Sequence, residues 1–185
     1  AEQFAALAAA ADRTMFSGWG IRTLAADMAS YNPAGYHTGA VWPHDSTIAA
    51  AGLMRYGFAE PAVQVLAGLF DAATAFDDHL PEVWCGFSDQ EFPFPVPFPT
   101  SCSPQAWAAA APLLAVRTLL GLDPDVPRGT LTVAPRVPQQ LMPLAVSDLL
   151  IGGHRVTVVA NSEGTVVEGA PPDWQVTRPG PPTAP

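Results

Sequence analysis

The chain has 185 residues, of which 49% are apolar and only 14% charged, and its formal net charge is −9. That length supports one domain or somewhat more with a buried core, and the acidic balance excludes the clustered cations of a nucleic-acid surface and disfavours binding to an anionic membrane. All eight basic residues are arginines, which removes Schiff-base lysine chemistry and the phosphate-loop lysine. No cofactor is expected.

The chain opens Ala1-Glu2-Gln3-Phe4 without an initiator Met, a basic leader region or a cleavage site, the start expected of a piece of a longer polypeptide or of a processed product. No stretch approaches the ~20 apolar residues that cross a bilayer. A first helix is expected over residues 2–14, where Phe4, Leu7, Ala8 and Ala11 recur at helical spacing. A second begins after Pro43-His44, with Asp45 or Ser46 as cap, and stops at Gly57. A third starts at Pro61 and carries Val65, Leu66, Leu69, Phe70 and Ala73, and a fourth follows Ser103-Pro104 and closes at Gly121. Between them, residues 79–102 read as a long irregular loop, since Pro93, Pro95, Pro97 and Pro99 alternate with other residues and forbid a helix.

Composition shifts near Gly121, from Ala and Leu to alternating Val and Thr with many prolines. Residues 1–122 therefore read as a helical domain, 123–178 as a β-rich cap, and 179–185 as a disordered tail. Strands are expected at Thr130–Val133, Asp148–Ile151, Arg155–Val159, Thr165–Val167 and Trp174–Thr177, with a hairpin turn at Asn161-Ser162-Glu163-Gly164. Cys85 and Cys102 flank the proline-rich loop; two cysteines make no disulfide framework, and both free thiols and a bridge remain open.

Two segments carry chemistry. Ser17–Leu24 and Tyr31–Asp45 gather Trp19, Tyr31, Tyr36, Trp42, His37, His44, Arg22 and Asp45 in stretches rich in Gly and Pro. Aromatic faces beside hydrogen-bonding groups suit a sugar, which presents C–H faces and a rim of hydroxyls. Leu80-Pro81-Glu82-Val83-Trp84-Cys85-Gly86-Phe87 sets a carboxylate between Pro and aromatics, surroundings that desolvate its charged form and raise its basicity. Gln105-Ala106-Trp107 opens the fourth helix and offers a further stacking or hydrogen-bonding wall.

Simpler roles stand beside these. Glu82 could be a surface carboxylate or pair with Arg22 or Arg55; Asp45 could only cap its helix; Arg22 could clamp a sugar hydroxyl or pair with Asp27. Trp19, Trp84 and Trp107 could be sugar platforms or core fillers, and His79 and His154 read as surface residues. His37 and His44, even with Asp45, lack a third ligand at metal spacing, so no metal is expected. Ser17, Ser46 and Ser101 lack the context of a nucleophile elbow.

Taken in order, Ser17–Leu24, Tyr31-Asn32-Pro33, Tyr36-His37-x-Gly39-x-Val41-Trp42-Pro43-His44-Asp45, Gly52–Gly57, Leu80–Gly86 and Pro104–Trp107 resemble the bacterial glycoside hydrolases of the glycogen-debranching (amylo-α-1,6-glucosidase) type, over about residues 14–121. The resemblance implies a mainly α fold, part of an (α/α) six-hairpin toroid of helical hairpins, followed by a small C-terminal β-rich segment, with the remainder of the toroid supplied by the parent chain. It implies a cytoplasmic enzyme that inverts α-glucosidic, chiefly α-1,6, bonds of an oligosaccharide or α-glucan with two carboxylates. Glu82 matches the general base. Tyr36, His37, Trp42, His44, Asp45, Arg22, Trp84, Gln105 and Trp107 would line the substrate, and the general acid would belong to an earlier hairpin. A carbohydrate-binding remnant without turnover, or a structural helical module, is the alternative.

Overall fold

The computed structural model describes residues 13–179; the helix expected over 2–14 and most of the C-terminal tail lie outside them. The chain divides into two compact units at Ala115/Val116.

In the first unit, α1 (Pro43–Arg55) and α2 (Ala59–Ala75) form one helical hairpin across Tyr56-Gly57-Phe58. Pro43 rather than Asp45 or Ser46 begins α1: Trp42 is the N-cap residue, with no side-chain cap, and the fixed φ of proline suits the first turn, where its missing N–H is not needed. Gly57 supplies the left-handed step (φ 89°) after the helix. α2 starts two residues before Pro61 and turns Ala62, Val65, Leu66, Leu69 and Ala72 inward, the spacing of a buried helix face.

The segments around the hairpin are turns and bends held by isolated bridges rather than helices. Single antiparallel bridges join Arg22 to Val41, Val41 to Trp84 and Trp84 to Pro97. Val41 and Trp84 exchange both backbone hydrogen bonds, at 2.9 and 3.1 Å. The N–H of Cys85 donates to the Val96 carbonyl, and that of Glu82 to the Cys102 carbonyl, both at 2.9 Å. Prolines at alternate positions leave the 92–99 segment too few donors for a continuous ladder, so it pairs at isolated points. Val41, Val83 and Trp84, all fully buried, form the floor of this layer.

α3 (Ala106–Leu120) runs across the division between the units. The second unit continues with β1 (Leu122–Asp125), β2 (Thr130–Val133), β3 (Leu144–Ile151), β4 (His154–Asn161), β5 (Gly164–Glu168) and β6 (Gln175–Thr177). They make two three-stranded sheets, β1-β2-β6 and β3-β4-β5. β2 pairs antiparallel with β1 and parallel with β6, and the second sheet is antiparallel throughout. Val156, Val158 and Ala160 of β4 face inward at alternate positions, the period of a sheet with one buried face.

The expected fold class, a mainly α partial six-hairpin toroid, is not what the chain forms. Residues 13–179 hold three helices and two small sheets, and only α1 and α2 follow one another as a hairpin. Residues 76–105 form turns, bends and isolated bridges at Trp84 and Pro97 and add no further helix. No helix among the described residues is long and apolar enough to cross a membrane.

Candidate active site

Tyr36 is set by a tight loop. The Asn32 side chain accepts from the Ala34 N–H at 3.0 Å, its carbonyl accepts from Gly35 at 2.8 Å, and the Thr38 carbonyl closes the loop on the Asn32 N–H at 2.8 Å. At Gly39 a side chain would run into the Asn32 carbonyl. This loop lays Tyr36 against Trp42, ring centres 4.7 Å apart and edge to face, and the Trp42 indole N–H donates to the Tyr36 carbonyl at 3.1 Å. Phe98 packs on the other side of Tyr36 at 5.5 Å, and Ala40 and Val83 complete the apolar bed.

The aromatic row continues. Trp107 meets Trp42 edge to face at 5.8 Å, and His44 stacks on Trp107 at 4.7 Å with planes 17° apart. His37 lies parallel to Trp42 at 5.8 Å. Trp107 is 40% exposed, whereas Trp42 is 6% exposed; the row thus presents a wide indole face on an anchored base. Gln105 positions Trp107 by capping α3: its side-chain oxygen accepts from the N–H groups of Trp107 (2.7 Å) and Ala108 (3.2 Å).

Glu82 is half-buried at the Tyr36 end of the row. The Tyr36 phenol faces its carboxylate, to which the hydroxyl can donate. Burial first, then this hydrogen bond and the negative charge of Glu82, and last Cys102, push the Tyr36 phenol above its ordinary value of 10.0. The carboxylate therefore sits beside a hydroxyl held in its donating form. That pair can orient a water or a sugar hydroxyl, and the carboxylate can accept its proton.

The other expected site residues have different placements. The Arg22 guanidinium, in a side chain only 3% exposed, donates to the carbonyls of Gly86 (2.7 Å), Arg13 (2.6 Å) and Thr14 (3.2 Å) and lies 5.8 Å from the Tyr31 ring centre. These bonds tie the Ser17–Leu24 segment to Gly86; neither a pairing with Asp27 nor an open clamp is present among the described residues. Trp84 is fully buried against Phe76 and fills the core rather than offering a platform. Asp45 is exposed on the first turn of α1, where its charge complements the helix dipole. Cys85 and Cys102 are both free. Burial raises the Cys85 thiol above its ordinary value, and its Sγ–H contacts the Pro97 carbonyl at 3.7 Å.

Two participants escaped the reading of the sequence. Phe98 had been part of a proline-rich run read only as non-helical, and Cys102 had been considered only for a bridge; both approach Tyr36. Among the described residues no group of three His, Cys, Asp or Glu side chains is placed to hold a metal ion. The chain matches no protein-family model and no curated protein.

Proposed function

We propose that the chain is the base-bearing part of a glycosidase of the glycogen-debranching type, acting on α-1,6-glucosidic bonds of an oligosaccharide or α-glucan in the cytoplasm. The observation that carries this reading is Glu82 paired with the Tyr36 hydroxyl at one end of the aromatic row Tyr36–Trp42–Trp107–His44. A glucose ring stacks its C–H face on the Trp107 indole and turns its hydroxyls toward His44 and His37. Glu82, as carboxylate, takes a proton from a water that attacks the anomeric carbon from the face opposite the leaving oxygen. The departing oxygen receives a proton from a second carboxyl group, which inverting chemistry sets about 6.5–9.5 Å from the base.

A specific observation favours a second reading, carbohydrate binding without turnover: the exposed Trp107 face, anchored on the buried Trp42, can hold a sugar ring with no second carboxyl. Incubation of the parent polypeptide, which adds the second carboxyl, with panose and isomaltose separates the two. Catalysis predicts released glucose that is initially the β-anomer, and a rate about 100–10,000-fold lower in Glu82→Gln. Saturable binding with no glucose released supports the second reading, and neither binding nor release refutes both.

A further inference from the structure

A cavity of about 330 Å³ opens beside the aromatic row and is lined by Phe76, Asp77, His79, Val83, Phe98 and Ser103, with prolines and Ser101 completing the wall. It adjoins the row through Val83 and Phe98, but Glu82, Trp42 and Trp107 do not line it. We propose that this cavity binds a small organic cation, a protonated amine carrying an apolar body.

The lining chemistry selects that class. Its polar groups are chiefly acceptors. Asp77 brings a carboxylate. His79 holds its Nδ1 2.6 Å from the Asp77 carbonyl oxygen, so in the tautomer that donates there, Nε2 is left as an acceptor. The Ser101 hydroxyl oxygen accepts from the Val83 N–H at 3.2 Å, which leaves its O–H and one lone pair free. No arginine lines the cavity, and the chain has no lysine. An ammonium offers three donors and no acceptor, and it matches a wall that holds a carboxylate and no cation. Phe76 and Phe98 add ring faces, whose negative quadrupole attracts a cation, and Val83, Pro81 and Pro97 receive the apolar body.

The acceptor end is built by an unusual turn. Asp77 and Asp78, directly after α2, both adopt left-handed backbone, at φ 52° and 61°. The Asp78 N–H donates to the Ala73 carbonyl at 2.9 Å and the His79 N–H to the Phe76 carbonyl at 3.0 Å. Asp and Asn are the non-glycine residues that tolerate this conformation best, so Asp77→Asn removes the charge while keeping the turn.

The test titrates the full chain with phenethylamine and with its neutral counterpart 2-phenylethanol, by calorimetry and by amide and imidazole NMR. The proposal predicts saturable binding of phenethylamine with shifts at His79, at least tenfold weaker binding of 2-phenylethanol, and at least tenfold weaker phenethylamine binding by Asp77→Asn with an unchanged melting temperature. Equal affinity for amine and alcohol overturns it, as does undiminished binding by a folded Asp77→Asn variant or the absence of saturable binding. Shifts at His79 with glucose but none with phenethylamine would assign the cavity to a sugar instead and also overturn it. The comparison of amine with alcohol uses the unaltered protein, so it decides the matter even if the variant does not fold.

Discussion

The Tyr36 phenol stands beside the Glu82 carboxylate and has its pKa raised by it, a link between the loop before α1 and the segment after α2. Burial and the Glu82 charge both favour the neutral phenol. Tyr36 therefore titrates above 10.0, and Glu82→Gln brings it part of the way back, since burial remains. The check is a tyrosinate absorbance titration of each protein against its Tyr36→Phe counterpart. The sign for stability follows: the folded phenol holds its proton longer than the unfolded one. This contribution is complete below the ordinary value and is lost as pH rises through the raised one.

Arg22 satisfies three backbone carbonyls from a buried position. Arg22→Ala strands these acceptors and is expected to cost about 2–4 kcal/mol in urea unfolding. Arg22→Lys should recover little, because one ammonium cannot reproduce the planar fork that reaches Gly86 on one side and Arg13 and Thr14 on the other.

Gly86 leaves no room for a side chain. Its N–H donates to the Pro33 carbonyl at 2.7 Å, its carbonyl accepts from Arg22 and from the Tyr31 hydroxyl, and a Cβ there would collide with the Gly39 carbonyl. Since the obstacle is backbone, Gly86→Ala is expected to destabilise by about 1–3 kcal/mol, read as a lower urea midpoint with an unchanged slope.

The two thiols should differ in reactivity. Cys102 is exposed, whereas Cys85 is buried with its thiol pushed up. Iodoacetamide at neutral pH is expected to label Cys102 in the folded protein and Cys85 only in denaturant, as mass spectrometry of the peptides would show.

The sequence made the short elements legible where side-chain period and punctuation agree. The buried face of α2, the alternation in β4 and the Asn161–Gly164 turn all follow local rules. β1 escaped because Pro124 argues against a strand; it is tolerated because β1 is an edge strand of its sheet. β3 was foreseen only from Asp148 onward. Asp148 has a left-handed backbone (φ 60°) and the register shifts between Val146 and Leu149, so the alternation breaks and the first half of the strand loses its pattern.

In the candidate site, motif order suggests that Trp42, His44 and Glu82 share a site, and the segments of Trp42 and Glu82 do lie together. Their arrangement depends on the Val41–Trp84 pairing, a contact between residues 43 positions apart that no local pattern encodes. The same holds for Arg22: its charge suggested a ligand or an acidic partner, but its use on carbonyls became visible only once Gly86 lay beside it. The toroid expectation came from the resemblance alone; the prolines of 79–102 already forbade a helix there, and the chain forms three helices and two small sheets among the described residues.

The most direct test is an NMR titration of the full chain with isomaltose, following the indole N–H signals of its five tryptophans. Sugar docking beside Glu82 predicts saturable shifts at Trp107 and Trp42, little change at the buried Trp84, and loss of the response in Trp107→Ala. Isomaltose that leaves the Trp107 and Trp42 signals unmoved at saturating concentration would contradict the account.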